Sequence, residues 1–200
     1  MSDATILDRA PPDRASPRRR DAQATRAALL EAAKAQFAAL GYDSATLREI
    51  AAAAGADVAL IKRYFGGKEG LFTEALKASI GTGRWREWDR ASFPREVATM
   101  MAGTPNADEA RTQSFQFLLR AATSPATAPM LNVAVQERFL AAIRDWLGGD
   151  DGEARARVLA AVFIGFLVER LIRDEPLQGR ERDVFIARAA AILEALIAAP

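Results

Sequence analysis

Apolar residues in this chain recur at helical spacing. Leu29, Leu30, Ala33, Phe37 and Leu40 line one face of a helix predicted over about 21–40, and Gly41 stops it. Thr46-x-x-Glu49 spells a capping box, in which the Thr46 hydroxyl accepts the Glu49 backbone N–H and the Glu49 carboxylate reaches back to the N–H of Thr46. A short helix over about 47–54 therefore starts there and ends at Gly55, after which Asp57 can cap a third helix running to about Tyr64. A fourth runs from Gly67-Lys68 through Leu71, Phe72, Ala75, Leu76 and Ile80 to the breaker Gly81-Thr82-Gly83. Five further helices are expected near 85–102, 107–123, 127–147, 153–173 and 181–198, separated by Gly103-Thr104-Pro105, Ser124-Pro125, Gly148-Gly149 and Pro176.

No strand-like alternation competes with this pattern and no repeat of solenoid length is present. The expected fold is all-α. Residues 1–20 carry Pro11, Pro12 and Pro17 among charges and little apolar surface, the composition of a disordered arm. Residues 21–72 form an N-terminal helical domain and 73–200 a larger C-terminal one, with the boundary inside the fourth helix.

The second and third helices, joined by a tight Gly-containing turn, have the form of a helix-turn-helix whose second helix can enter a major groove. Ile50, Ala51, Ala56, Ile61 and Phe65 can face the stripe of the first helix, leaving Val58, Ala59, Lys62 and Arg63 outward. Small residues flanked by cations suit that task. They let the backbone approach a groove about 12 Å wide while neighbouring charges meet phosphate.

Composition narrows the chemistry. The 200 residues contain no Cys and no His, which excludes disulfides, thiolate nucleophiles, Cys/His zinc sites, Ser-His-Asp triads and an imidazole switch. Lys and Arg total 27 against 26 Asp and Glu, so any electrostatic binding face must be local. From Arg18 to Lys68 there are nine cations and five acids, a net +4, whereas residues 73–200 carry a net −1. The longest apolar run, Val158 to Val168, is shorter than the roughly 20 residues of a membrane span and is interrupted by Gly165. The N-terminus has no apolar signal core, and the expectation is a cytoplasmic protein without membrane contact.

The run Thr25-Arg26, Ala32-Ala33, Phe37, Gly41-Tyr42, Thr46-Leu47-Arg48-Glu49-Ile50-Ala51, Ala54-Gly55 and Ile61-Lys62-Arg63-Tyr64-Phe65-Gly66-Gly67-Lys68-Glu69-Gly70-Leu71-Phe72 resembles the DNA-binding domain of TetR-family transcriptional regulators. It covers about 50 contiguous residues and ends in the Tyr-Phe-x-x-Lys-x-x-Leu-Phe signature. Phe117 to Pro125 resembles, more loosely, one branch of the family's C-terminal domains. The resemblance implies a homodimer placing two recognition helices on a palindromic double-stranded operator, most often as a repressor released by a small-molecule effector. It implies no cofactor, no metal and no catalytic residue. Thr46, Arg48, Arg63, Tyr64 and Lys68 would then contact phosphates, with Thr25 or Arg26 adding another, and Val58, Ala59 and Lys62 would lie nearest base edges. The family commonly has Tyr at the place of Lys62 and a small polar residue at the place of Leu60, so base preference does not transfer.

Simpler roles stand beside these. Thr46 can serve only as a cap, Tyr64 can pack on the small core, Lys68 can be merely solvated, and Arg18-Arg19-Arg20 reads more readily as a charge cluster than as a minor-groove arm.

In the C-terminal half, Trp85, Trp88, Met100, Met101, Phe115, Phe117, Phe139, Trp146 and Phe163 are candidate lining for the effector pocket that the resemblance implies. Gln113, Gln116, Asn132 and Gln136 can orient a ligand or face water. Val162 and Phe166, with Phe185, Ala189, Ile192 and Leu196, are candidates for the implied four-helix dimer interface.

An enzyme is the first competing class. Gly81-Thr82-Gly83 and Gly66-Gly67-Lys68 lack the remaining features of nucleotide loops, and Asp150, Asp151 and Glu153 lack calcium-loop spacing. The second is an adapter or ligand carrier that keeps the helix-turn-helix only as structure. The cations Lys62, Arg63 and Lys68 argue against it.

Overall fold

The computed structural model describes residues 17–80, 88–103, 109–173 and 175–198, and every regular element among them is helical. Helix α1 (Pro17–Ser44) turns its apolar period into a stripe of Leu29, Ala33 and Phe37, all fully buried. It starts at Pro17 rather than Asp21, because the first helical turn tolerates a residue without an N–H that would there be unpaired. The rest of the expected arm, residues 1–16, lies outside the described residues. Gly41, at φ 80° and ψ 173°, breaks the helix where the sequence predicts its stop. The turn beyond it brings the Tyr42 ring to 6.1 Å from Phe37 and edge-on to Phe72 at 4.8 Å.

Helices α2 (Leu47–Ala53), α3 (Ala59–Phe65) and α4 (Lys68–Ile80) wrap that stripe. Ile50 and Ala51, Ile61 and Phe65, and Leu71, Phe72, Ala75 and Leu76 are buried around Phe37. Each fully buried large side chain contributes roughly 1.5–3 kcal/mol. Helix α4 crosses the expected boundary at 72/73 without a break. The same core is completed by Phe117 and Ala121 of α6 (Glu109–Thr123) and Ala134 of α7 (Ala128–Val135).

The expected helix over 85–102 is shorter at its start. Residues 85–87 lie outside the described residues, 88–92 form a bend and turn, and α5 (Phe93–Ala102) begins with Pro94 in its first turn. Proline inside a helix would remove a hydrogen bond and clash with the preceding turn, whereas in the first turn neither cost arises. Asp89 Oδ2 accepts the N–H of Ser92 at 3.0 Å and sets this start. The expected helix over 127–147 is continuous, but between α7 and α8 (Ala141–Leu147) it contains a π-helical turn, Gln136–Leu140. Lys77 of α4 reaches Glu137 of that turn at 3.3 Å.

Helices α9 (Gly152–Ile172) and α10 (Gly179–Ile197) complete the fold. A second core joins Phe93, Val97 and Met101 of α5 to Ile143 and Trp146 of α8, Leu159 and Phe163 of α9, and Leu193 of α10. Ala98 and Ala102 meet Ala189 and Ala190, so α5 and α10 approach closely. Among the described residues no helix is long and apolar enough to cross a membrane.

Candidate nucleic-acid interface

The helix-turn-helix is set by local chemistry at three points. Thr46 sits extended before α2, its Oγ1 accepting the Glu49 N–H at 3.2 Å, and Glu49 Oε2 accepts the N–H of Thr46 at 3.3 Å and its hydroxyl at 2.7 Å. Both halves of the expected capping box are thus formed. Gly55, at φ 62°, turns the chain, and Asp57 Oδ1 accepts the N–H of Ala59 at 2.7 Å to start α3. The left-handed Gly66 then ends α3 and redirects it into α4.

This places Ile61 and Phe65 inward and leaves Val58, Ala59, Lys62 and Arg63 on one exposed face of α3. Arg48 is exposed on α2. Tyr64 is half-buried with its ring edge-on to Phe65, and the Arg63 guanidinium lies 5.9 Å from the Tyr64 ring. Leu60 is partly buried against the N-terminal core. That apolar side chain packs where the resembling family has a small polar one.

The remaining candidates have partners within the protein. Lys68 Nζ donates to the Asp43 carbonyl at 3.2 Å and stands 4.8 Å from the Tyr42 ring, which ties the start of α4 to the turn after Gly41. Arg26 pairs with Glu74 at 2.9 Å and lies 4.9 Å over the Phe65 ring, fastening α1 to α3 and α4. Thr25 donates its hydroxyl to the Asp21 carbonyl at 2.8 Å, within its own helix. Glu74 was not singled out from the sequence, since it lies 48 positions from Arg26 and no local pattern links them. The sequence marks Tyr42 only within the run that resembles the family. Its phenol is pushed above its ordinary pKa by burial, then by the charges of Glu69 and Asp43, and so stays a neutral O–H group.

The candidate effector residues fall into two cores. Trp88, Met100, Met101, Phe139, Trp146 and Phe163 belong to the C-terminal one, where the Phe93 ring lies tilted between Trp88 at 4.8 Å and Trp146 at 5.0 Å. Trp146 Nε1 donates to the Trp88 carbonyl at 3.3 Å. Phe117 instead sits with Phe37 and Phe72 in the N-terminal core, because α6 faces α1. Phe115 is half-buried, and Trp85 lies outside the described residues.

The candidate dimer residues divide as well. Val162, Phe166, Phe185 and Leu196 are half-buried and packed within the protomer, and Ala189 is 3% exposed against α5, whereas Ile192 is 49% exposed. The apolar side chains left open on these helices are Val158, Ile164 and Ile172 of α9 and Val184 and Ile192 of α10.

Residues 29–75 match the tetR family of bacterial regulatory proteins, and residues 91–197 match the tetracyclin repressor-like C-terminal domain. No curated protein matches the chain in sequence. Many solved structures share the fold. NalD, the secondary repressor of the MexAB-OprM multidrug efflux pump in Pseudomonas aeruginosa, is 21% identical, with 86% of this chain and 95% of that chain covered at a TM-score of 0.60. The multidrug binding protein EbrR, complexed with malachite green, is 22% identical, with 87% and 98% covered at 0.63. GusR of Salmonella enterica is 20% identical, with 86% and 95% covered at 0.60.

Proposed function

The chain belongs to the tetR family of bacterial regulatory proteins and is a DNA-binding regulator of transcription, and from that premise we propose that it is a repressor, binding a palindromic operator as a homodimer and released by a small-molecule effector. The observation that carries the operator contact is the exposed face of α3, with Val58 and Ala59 beside Lys62 and Arg63, together with the exposed Arg48 of α2. Small side chains admit the helix to a major groove, and the cations neutralise phosphates on either side. Val58, Ala59 and Lys62 are assigned to base edges. Thr46, Arg48, Arg63, Tyr64 and Lys68 are assigned to phosphates, with a subsidiary role for Thr25 and Arg26.

Effector release is supported by the aromatic cluster around Phe93 and Trp146, held between α5, α8 and α9. An effector acts by binding one arrangement of the two halves better than the other, and it shifts the operator-competent population by that difference alone. Homodimerisation is supported by the open apolar face of α9 and α10. NalD is a repressor and EbrR binds malachite green, which agrees with this reading.

Selection of bound fragments from the source genome by the purified chain, followed by salt titration on the enriched site, tests the proposal. A palindrome should emerge, with affinity falling steeply as salt rises. Lys62→Ala should reorder preference among operator variants, whereas Lys68→Ala should weaken all of them similarly. Failure of a folded protein to enrich any sequence favours the adapter reading, and equal losses across variants for both substitutions defeat the division between base and phosphate contacts.

A further inference from the structure

A cleft of about 290 Å³ opens between the end of α1 and the end of α6, away from both the α3 face and the aromatic cluster of the C-terminal half. The surface it offers is that of half-buried Tyr42 and of Leu40, which is 46% exposed, while the rings of Phe37, Phe72 and Phe117 lie behind them at no more than 1% exposure. Arg120 and Thr123 line it from α6 and are exposed. Arg120 Nη1 donates to the Ala39 carbonyl at 2.8 Å, and its remaining guanidinium N–H groups have no partner among the described residues. The volume is close to the roughly 300 Å³ at which small-ligand sites begin, which limits the occupant to a single ring or a compact bicycle.

We infer that this cleft is a ligand site for a small aromatic carboxylate, its ring against Tyr42 and Leu40 and its carboxylate on the open edge of Arg120. A guanidinium presents a planar fork matched to a carboxylate, and edge-on ring contacts favour an aromatic body over an aliphatic one. Asp43 also lines the cleft, which makes an aromatic cation the natural competitor.

The position of the site gives it a consequence. Arg120 holds the Ala39 carbonyl two residues before Gly41, the turn after Gly41 presents the Asp43 carbonyl to Lys68, and the same turn leads into the Thr46 cap. A carboxylate that draws Arg120 away from Ala39 loosens that turn and with it Thr46 and Lys68. This effect on operator affinity rests on the reading proposed above, whereas binding in the cleft does not.

Ligand-observed fluorine NMR on the full chain, with 4-fluorobenzoate, 4-fluorobenzamide and 4-fluorobenzylammonium as probes, tests the assignment. The benzoate should bind in preference to the other two. Arg120→Gln should weaken it about tenfold or more by removing a charge-assisted pair. Thr123→Trp, at an exposed position on the cleft, should abolish it by filling the space, with circular dichroism confirming that each variant is folded. Absence of benzoate binding, equal binding of the benzylammonium, or benzoate binding that survives Thr123→Trp overturns the proposal. Lowered operator affinity on adding the benzoate, absent in Thr123→Trp, supports the coupling. Benzoate binding by a chain that selects no DNA leaves the cleft assignment standing and removes the regulatory reading.

Discussion

Gly70 stands where α4 passes the end of α3, and a Cβ built on it would lie 1.8 Å from the carbonyl oxygen of Phe65. That atom is backbone and cannot swing aside, so Gly70→Ala must separate the two helices. Gly55 needs glycine for a different reason, since it has φ 62° but nothing within 4 Å of a Cβ. Alanine there meets only left-handed strain, about 1–2 kcal/mol, whereas overpacking against backbone at Gly70 should cost about 3 kcal/mol or more. Urea denaturation should therefore rank Gly70→Ala well below Gly55→Ala in stability, and equal losses would show that α4 can shift to relieve the contact. Arg26 illustrates a different choice made at the scale of one side chain. Its charge is committed to Glu74 and the Phe65 ring, so its first contribution is to hold α1 on the helix-turn-helix, and the partial exposure of the pair keeps that contribution modest.

At the scale of elements, α2 depends on its cap because seven residues are too few to hold a helix by propensity alone. Thr46→Ala should cost about 1 kcal/mol through the lost cap, and Thr46→Ser should restore most of it. If operator affinity follows that same pattern, the hydroxyl carries the effect, as cap and as phosphate donor together. Affinity lost in Thr46→Ser as well would assign a role to the methyl group. The cap was legible because a capping box is written within four residues, and the same holds for Gly41, Gly55 and Asp57, each a local signal. What was not legible depends on partners distant in sequence. The stripe of α10 reads as Phe185, Ala189, Ile192 and Leu196, but only the position of α5 decides that Ala189 turns inward while Val184 and Ile192 stay open. The start of α5 has a local mark in Pro94, a residue that suits the first turn of a helix and no later one. The π-helical turn at Gln136–Leu140 has no sequence mark of its own, and its register is seen only where Glu137 meets Lys77 of α4.

At the scale of the whole molecule, the two halves do not meet as separate bodies, because Phe117, Ala121 and Ala134 complete the core that α1 to α4 begin. The C-terminal half is therefore joined to the helix-turn-helix through packed side chains, which resist continuous deformation. The surface left over is the apolar face of Val158, Ile164 and Ile172 on α9 with Val184 and Ile192 on α10, beside the exposed, small Ala161 and Gly165. A second copy of the chain meeting this face would bury side chains that a lone protomer leaves in water, and would set the separation of two α3 helices on an operator. Ile192→Glu inserts a charge into that face without touching the protomer core, so sedimentation should show a folded monomer at concentrations where the parent chain is dimeric. Operator affinity should fall with it, since each half-site then binds alone and the gain from linkage is lost. Ala189→Glu gives the contrast, because its side chain would enter the contact between α5 and α10 and should unfold the C-terminal half instead. An Ile192→Glu chain that remains as dimeric as the parent would place the interface on another face and leave the small residues of α9 without a role in assembly.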